Sequence, residues 1–240
     1  MFMGARDANG QLVMQQVADY PELISFDGIP ERIKRFGVNS VELMEQNLHG
    51  TSAEDGAAFR AALEREGVKV GLLGLSRCVG DTNDQHRAED LDELERLIES
   101  AAEVEAEQVR VVLMPPPIVS SPTLAPFDVL VDSLRRLSAK AKAAGVRLTV
   151  ENEDVVTSDP DQLIPILDAI GTDIGLVLDT GNVEPLLSEV TSSFLAGREP
   201  KDVADPEPAY RMVEALLPRA EVVHVRPTGS MMTAHRRCTT

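Results

Sequence analysis

Residues 174–182 read Ile-Gly-Leu-Val-Leu-Asp-Thr-Gly-Asn, an apolar run that ends on the carboxylate of Asp179, with Asn182 just beyond a Thr-Gly turn. An unbroken apolar run of this length suits a parallel strand buried on both faces. The carboxylate at its end then stands at the edge of a dry core, where it needs a partner. Two other runs have the same form. LTVEN, residues 148–152, ends on Glu151 and Asn152, and VVHVR, residues 222–226, carries His224 and then Arg226. Each follows a helical segment, so the three side chains are expected at the same end of successive parallel strands, where a (β/α)8 barrel collects its chemistry.

Working outward, helix and strand patterns alternate along the chain. IPERIKRF is a short amphipathic helix closed by Gly37, and VNSVELM is a strand ending near Glu42. The helix AEDGAAFRAALEREG runs to Gly67 and leads into the apolar strand VKVGLLGL. Residues 88–104 place Leu91, Leu94, Leu97 and Ile98 on one helical stripe before the strand VRVVLM. After the loop PPPIVSSPTLAP, the helix FDVLVDSLRRLSAKAKAAG leads into VRLTVEN, and the helix DPDQLIPILDAIG leads into DIGLVLDTGN. Strands are expected near 41–44, 68–75, 109–114, 147–151, 174–179 and 221–226, with QLVMQQV near the start as a first strand.

This rhythm is that of βα repeats with right-handed crossovers. No strand is followed by GxGxxG or GxxxxGK[ST], so a nucleotide-binding open sheet loses support. The expected fold is an α/β, TIM-type (β/α)8 barrel in one domain over residues 1–240. The tail GSMMTAHRRCTT carries neither the apolar run nor the terminal Glu of an eighth strand, so the barrel is expected to be incomplete at its C-terminus. Residues 183–204 are longer than an ordinary strand-to-helix connection and are expected to form an insertion with an extra helix over the barrel mouth.

The chain has 240 residues, close to the roughly 250 of a typical barrel of this type. No segment approaches the roughly 20 apolar residues of a membrane span, and MFMGARDANG is no signal peptide, so the expectation is a soluble cytoplasmic protein with no membrane partner. The two cysteines, Cys78 and Cys238, lie far apart with no CxxC spacing and are expected to be free thiols. A formal charge of −17 repels polyanions, which argues against nucleic acid as a partner.

Each candidate site residue has a plain structural explanation when taken alone. Glu151, beside Asn152, Glu153 and Asp154, fits an exposed acidic loop. Asp179 fits an Asp that caps its own turn, and His224 fits a satisfied core histidine. Three such residues at three successive strand ends point instead to a cation, which would remove the repulsion of clustered carboxylates. Two carboxylates and one imidazole suit Mn²⁺, Mg²⁺, Co²⁺ or Zn²⁺. Asn182 and Arg226 face the same space as substrate-binding candidates, the arginine for a substrate oxygen or phosphate. His86, in DTNDQHR after the third strand, is a further substrate contact candidate.

With these residues in view, the chain from about Ile29 to Arg226 resembles the xylose isomerase-like TIM barrels, the sugar-phosphate isomerase and epimerase proteins. The resemblance rests on GVNSVEL, AAEVEAEQVRV, AGVRLTVEN, LDTGN and DPEPAYRMVEALLPRAEVVHVR, in that order. It implies a divalent cation held by Glu151, Asp179 and His224, with Glu151 also an acid/base, and a carbohydrate small molecule as substrate. Asn182 stands where the family often has His or Asn, and Arg226 where Lys is common. Glu153 replaces a frequent His, and Glu105 occupies a frequent glycine position. The family's second Glu has no counterpart in the tail, and Glu42 at the tip of the second strand is a stand-in candidate for substrate binding.

The implied function is a metal-dependent sugar or sugar-phosphate isomerase or epimerase that moves a proton between adjacent carbons. Fold alone leaves other chemistry open, namely a lyase on a cyclic polyol or a phosphodiester hydrolase. A truncated, inactive barrel that only binds a ligand is a third reading. Unpaired barrel edges are normally protected in soluble proteins, and a partner copy closing the gap would make the protein a homo-oligomer.

Overall fold

The computed structural model describes residues 2–6, 12–16, 28–47, 53–113, 124–153, 157–183, 186, 189, 192–193 and 205–225. The chain divides into two compact units, one of residues 1–41 and 50–69, the other of residues 42–49 and 70–240.

In the smaller unit, β1 (Phe2–Arg6) and β2 (Leu12–Gln16) pair antiparallel, with Gly4 opposite Met14. This corrects the expectation that QLVMQQV is the first parallel strand of the barrel. Only five residues separate the paired ends Arg6 and Leu12, so the segment pairs with its immediate neighbour in the chain. Helix α1 (Ile29–Arg35) begins with Pro30 in its first turn and packs on α2 (Ala53–Glu66), which buries Phe59, Ala62 and Leu63 along one stripe.

The parallel sheet runs in the order β3 (Ser40–Met44), β4 (Lys69–Cys78), β5 (Gln108–Val112), β6 (Arg147–Glu151), β7 (Gly175–Asp179), β8 (Ala220–His224). The pairs from β4 to β8 are parallel, and the order in space equals the order in sequence, the winding of a TIM-type barrel in which each strand is followed by its crossover. Among the described residues the order ends at β3 and β8, so the barrel is incomplete. In the larger unit, α3 (Asp84–Glu103), α4 (Phe127–Ala143) and α5 (Pro160–Ile170) pack in succession, α6 (Glu207–Leu216) packs on α5, and α4 lies against β6. Leu94 and Ile98 of α3 and Leu130, Leu134 and Leu137 of α4 are fully buried, as the helical stripes require.

Helix α3 starts at Asp84, four residues earlier than its apolar stripe indicates. The Asn83 side chain accepts hydrogen bonds from the backbone of Gln85 and His86, drawing this polar stretch into the first turn. His86 is therefore a helix residue and not part of a loop. At the other end Glu105 sits at φ +56°, with its N–H donating to Ala102 O and that of Ala106 to Ala101 O. This is a Schellman closure with glutamate in the left-handed position that glycine usually takes. Of the expected insertion at 183–204, most residues lie outside those described.

Candidate metal centre

Glu151 is the last residue of β6, and every residue of that strand after Arg147 is buried. Apolar pressure on Leu148 and Val150 fixes the strand between β5 and β7 and leaves the carboxylate at its C-terminal tip, 3% exposed. Asp179 occupies the same place on β7 and is 1% exposed. His224 ends β8 directly opposite Asp179 in register, while Val223 and Val225 on its other face are exposed. One ligand atom from each of Glu151, Asp179 and His224 lies within 4.8 Å of the other two.

The turn after β7 is built to hold Asp179 in place. Its Oδ1 accepts from Gly181 N at 2.7 Å, and Asn182 N donates to Asp179 O at 3.2 Å. Thr180 ties the turn to β8, its N–H and its hydroxyl both donating to His224 O, at 2.9 and 3.2 Å. The capping function of a D-x-G turn and membership of the three-residue cluster thus coexist in one side chain.

Asn152 clamps this turn to the tip of β6. Its Oδ1 accepts from Asp179 N at 2.7 Å and its Nδ2 donates to Asp179 O at 3.0 Å, so one buried amide meets both backbone groups of Asp179. Ser158 donates its hydroxyl to Asn182 O.

The imidazole of His224 lies between two carboxylates. Nδ1 is 3.1 Å from Glu151 Oε1, and Nε2 is 2.8 Å from Glu42 Oε2. The Nε2 contact lies off the N–H axis, so it is a charge contact and not a directed hydrogen bond. The hydrogen bond to Glu151, and then the Glu42 carboxylate, push the His224 pKa up to about 10 against the opposing effect of burial.

Of the sequence-derived candidates, Glu151, Asp179, His224 and Glu42 come together. Asn182 lies in the turn that follows Asp179: it is 2% exposed, and its Nδ2 is buried without a hydrogen-bond partner. His86 does not join them, since its ring pairs with Asp81 at 3.6 Å and makes no polar contact with the cluster. Arg226 lies outside the described residues. Two residues of the site escaped the sequence reading. One is Asn152; the other is Arg110, a buried guanidinium on β5 whose Nη1 lies 3.0 Å from Glu151 Oε2 and 2.8 Å from Glu153 Oε2. A lone arginine inside the apolar run VRVVL was the available signal, because a buried arginine needs carboxylates at hand.

The donor set fits a divalent cation. Two carboxylates and an imidazole are a recognised ligand combination for such ions. The buried Nε2 of His224 has no in-line partner, so the polar groups of this cluster are not all spent on the fold.

The family model described as xylose isomerase-like TIM barrel matches residues 30–216. No curated protein matches the chain. Among solved structures, it is similar to a xylose isomerase-like TIM barrel protein from Mycobacterium smegmatis in complex with magnesium, at 19% identity and TM-score 0.60 over 84% of this chain. The match spans 66% of that protein's length. D-psicose 3-epimerase from Clostridium cellulolyticum H10, with D-tagatose, superposes with TM-score 0.62 at 15% identity, over 86% of this chain and 80% of that one. The 3-keto-D-glucoside 4-epimerase of E. coli superposes with TM-score 0.57 at 18% identity, over 93% and 97%.

Proposed function

The chain belongs to the xylose isomerase-like TIM barrel family, and from that premise we propose that it is a divalent-metal-dependent isomerase or epimerase. It moves a proton between adjacent carbons of a sugar, a sugar phosphate or a related polyol or keto compound. The observation that carries this reading is the approach of Glu151, Asp179 and His224 to within 4.8 Å at the tips of three neighbouring parallel strands. The fold's neighbours among ketose and keto-glucoside epimerases support a carbohydrate substrate. The net charge of −17 is consistent with a small-molecule partner and not with a polyanion.

In this reading Glu151, Asp179 and His224 hold Mn²⁺, Mg²⁺, Co²⁺ or Zn²⁺. The bound cation supplies Lewis-acid polarisation of adjacent carbonyl and hydroxyl oxygens of the substrate. Glu151 takes the proton from the carbon next to the carbonyl; in isomerisation it returns that proton to the neighbouring carbon, and in epimerisation a water on the opposite face donates the new proton while Glu151 passes its own to the resulting hydroxide through solvent. Asn182 Nδ2 offers its unused N–H to a substrate oxygen, and Asn152 keeps Asp179 from following substrate motion. Arg226 is assigned to a substrate oxygen or phosphate.

The test is solvent exchange. The wild-type protein, loaded with each of the four metals, is incubated with a panel of ketoses and ketose phosphates in D₂O and followed by NMR. Deuterium entering a carbon next to the carbonyl, together with a new epimer or isomer, is the expected result. Both should vanish in Glu151→Gln and after chelation. Exchange that survives both changes overturns the assignment.

A further inference from the structure

The larger unit contains a buried cation that the proposed proton transfer does not use. Arg110 on β5 is 5% exposed. Its Nη1 reaches Glu151 Oε2 at 3.0 Å and Glu153 Oε2 at 2.8 Å, its Nη2 lies 3.4 Å from Met44 Sδ, and its Nε is buried without a hydrogen-bond partner. A charge in such a place is costly unless carboxylates answer it, and here both come from the tip of the adjacent strand, β6.

The guanidinium also requires a particular neighbour. Gly74 of β4 stands opposite Arg110 in register. A Cβ at Gly74 would lie 2.5 Å from Arg110 Nη2 and 2.6 Å from Met44 Sδ, closer than real Cβ contacts, so any side chain there displaces the guanidinium. A glycine in the middle of a strand otherwise weakens it. Its place here is explained by the arginine that lies across it.

The consequence falls on the two oxygens of Glu151. Nη1 donates its hydrogen bond to Glu153 Oε2, which anchors the guanidinium beside Glu151; its charge then holds Oε2 on the β5 side at 3.0 Å and leaves Oε1 facing His224 Nδ1 at 3.1 Å. We propose that Arg110, seated on Gly74, is a positioning residue that turns Oε1 of Glu151 towards the cation site and holds Oε2 out of it, so that Glu151 ligates through one oxygen and keeps Oε2 for the proton transfer. This rests on the metal reading above.

Calorimetric titration of Mn²⁺ into chelated, dialysed protein tests it, with thermal unfolding of the same metal-free samples recorded alongside. Wild type should bind one ion. Arg110→Met should keep that stoichiometry and raise Kd 10- to 100-fold, the range for lost support of a ligand. Arg110→Lys should not restore wild-type Kd, since a flexible ammonium keeps the charge without the planar group that lies across Gly74. Gly74→Ala, which touches no ligand, should weaken binding to a similar degree, and Gly74→Ala with Arg110→Met should be no weaker than Arg110→Met alone. A purely structural arginine would lower the unfolding temperature and leave Kd in place. Kd within twofold of wild type in Arg110→Met overturns the positioning role while the metal reading stands. Wild type that takes up no Mn²⁺ overturns both. If Arg110→Met fails to fold, wild-type Kd in Arg110→Lys or in Gly74→Ala overturns the positioning role.

Discussion

His224 Nε2 stands 2.8 Å from Glu42 Oε2, a contact between β8 and β3, the strands at opposite ends of the sheet order. A side chain from the middle of β3 thus meets one from the end of β8 although the two strands are not neighbours in the order. Glu42 is the second contributor to the raised His224 pKa, after Glu151. In metal-free Glu42→Gln the pKa should fall from about 10 towards the ordinary value of 6.5, because a negative neighbour has been removed. Imidazole NMR titration reads this directly, and an unmoved pKa would show that Glu42 does not act on the ring.

The same raised pKa sets a pH dependence. A group whose folded pKa exceeds its unfolded value stabilises the fold fully below the unfolded pKa and loses that contribution as pH rises through the folded one. For His224 the contribution is complete below about 6.5 and lost through about 10. Denaturant midpoints of chelated protein should therefore fall between pH 8 and pH 10.5, and His224→Asn should flatten that fall. A cation must also displace the proton from the ring. Metal binding at pH 8 should release close to one proton, measured as the dependence of calorimetric enthalpy on buffer ionisation; no release would place the ligand nitrogen elsewhere.

Asn152 carries more structural weight than its size suggests. It is fully buried, and its amide satisfies both the N–H and the C=O of Asp179. Asn152→Ala takes the partner from the buried Asp179 N–H and leaves the Asp179 carbonyl with Asn182 N–H alone, which costs about 1–3 kcal/mol. Urea unfolding measures the loss, and metal affinity should drop with it because Asp179 is freed. A change below about 1 kcal/mol would show that water replaces the amide.

Glu105 should be improvable. Its φ of +56° imposes the left-handed conformation on a residue with a side chain, a cost of about 1–2 kcal/mol that glycine avoids. Glycine gives part of this back through its freer unfolded chain. Glu105→Gly should therefore stabilise the protein by about 0.5–1 kcal/mol, seen as a higher urea midpoint. A lower midpoint would mean that the glutamate side chain contributes something the backbone argument omits.

How far the site was legible depended on the range of each interaction. The three ligand candidates could be read because each ends a run whose hydrophobicity alone marks it as a strand, and parallel order then aligns the ends. Asn83 shows a local signal that was present but missed: an Asn ahead of Asp84 and Gln85 is a helix start, and taking it so moves His86 from loop to helix. Arg110 and Asn152 were visible as residues but not as contacts. The partners of Arg110 lie 43 residues from it in the case of Glu153, and those of Asn152 lie 27 residues away at Asp179.

By itself the sequence determined the alternation of helices and strands, the type of barrel, and which polar side chains stand at strand ends, since periodicity and apolar runs are local properties of the chain. Tertiary structure alone decided that β1 and β2 pair with each other, that Gly74 makes room for Arg110, and that Glu42 meets His224 across the ends of the sheet order. Those relationships depend on strand register and sheet curvature, which arise only when segments distant in the chain pack against one another.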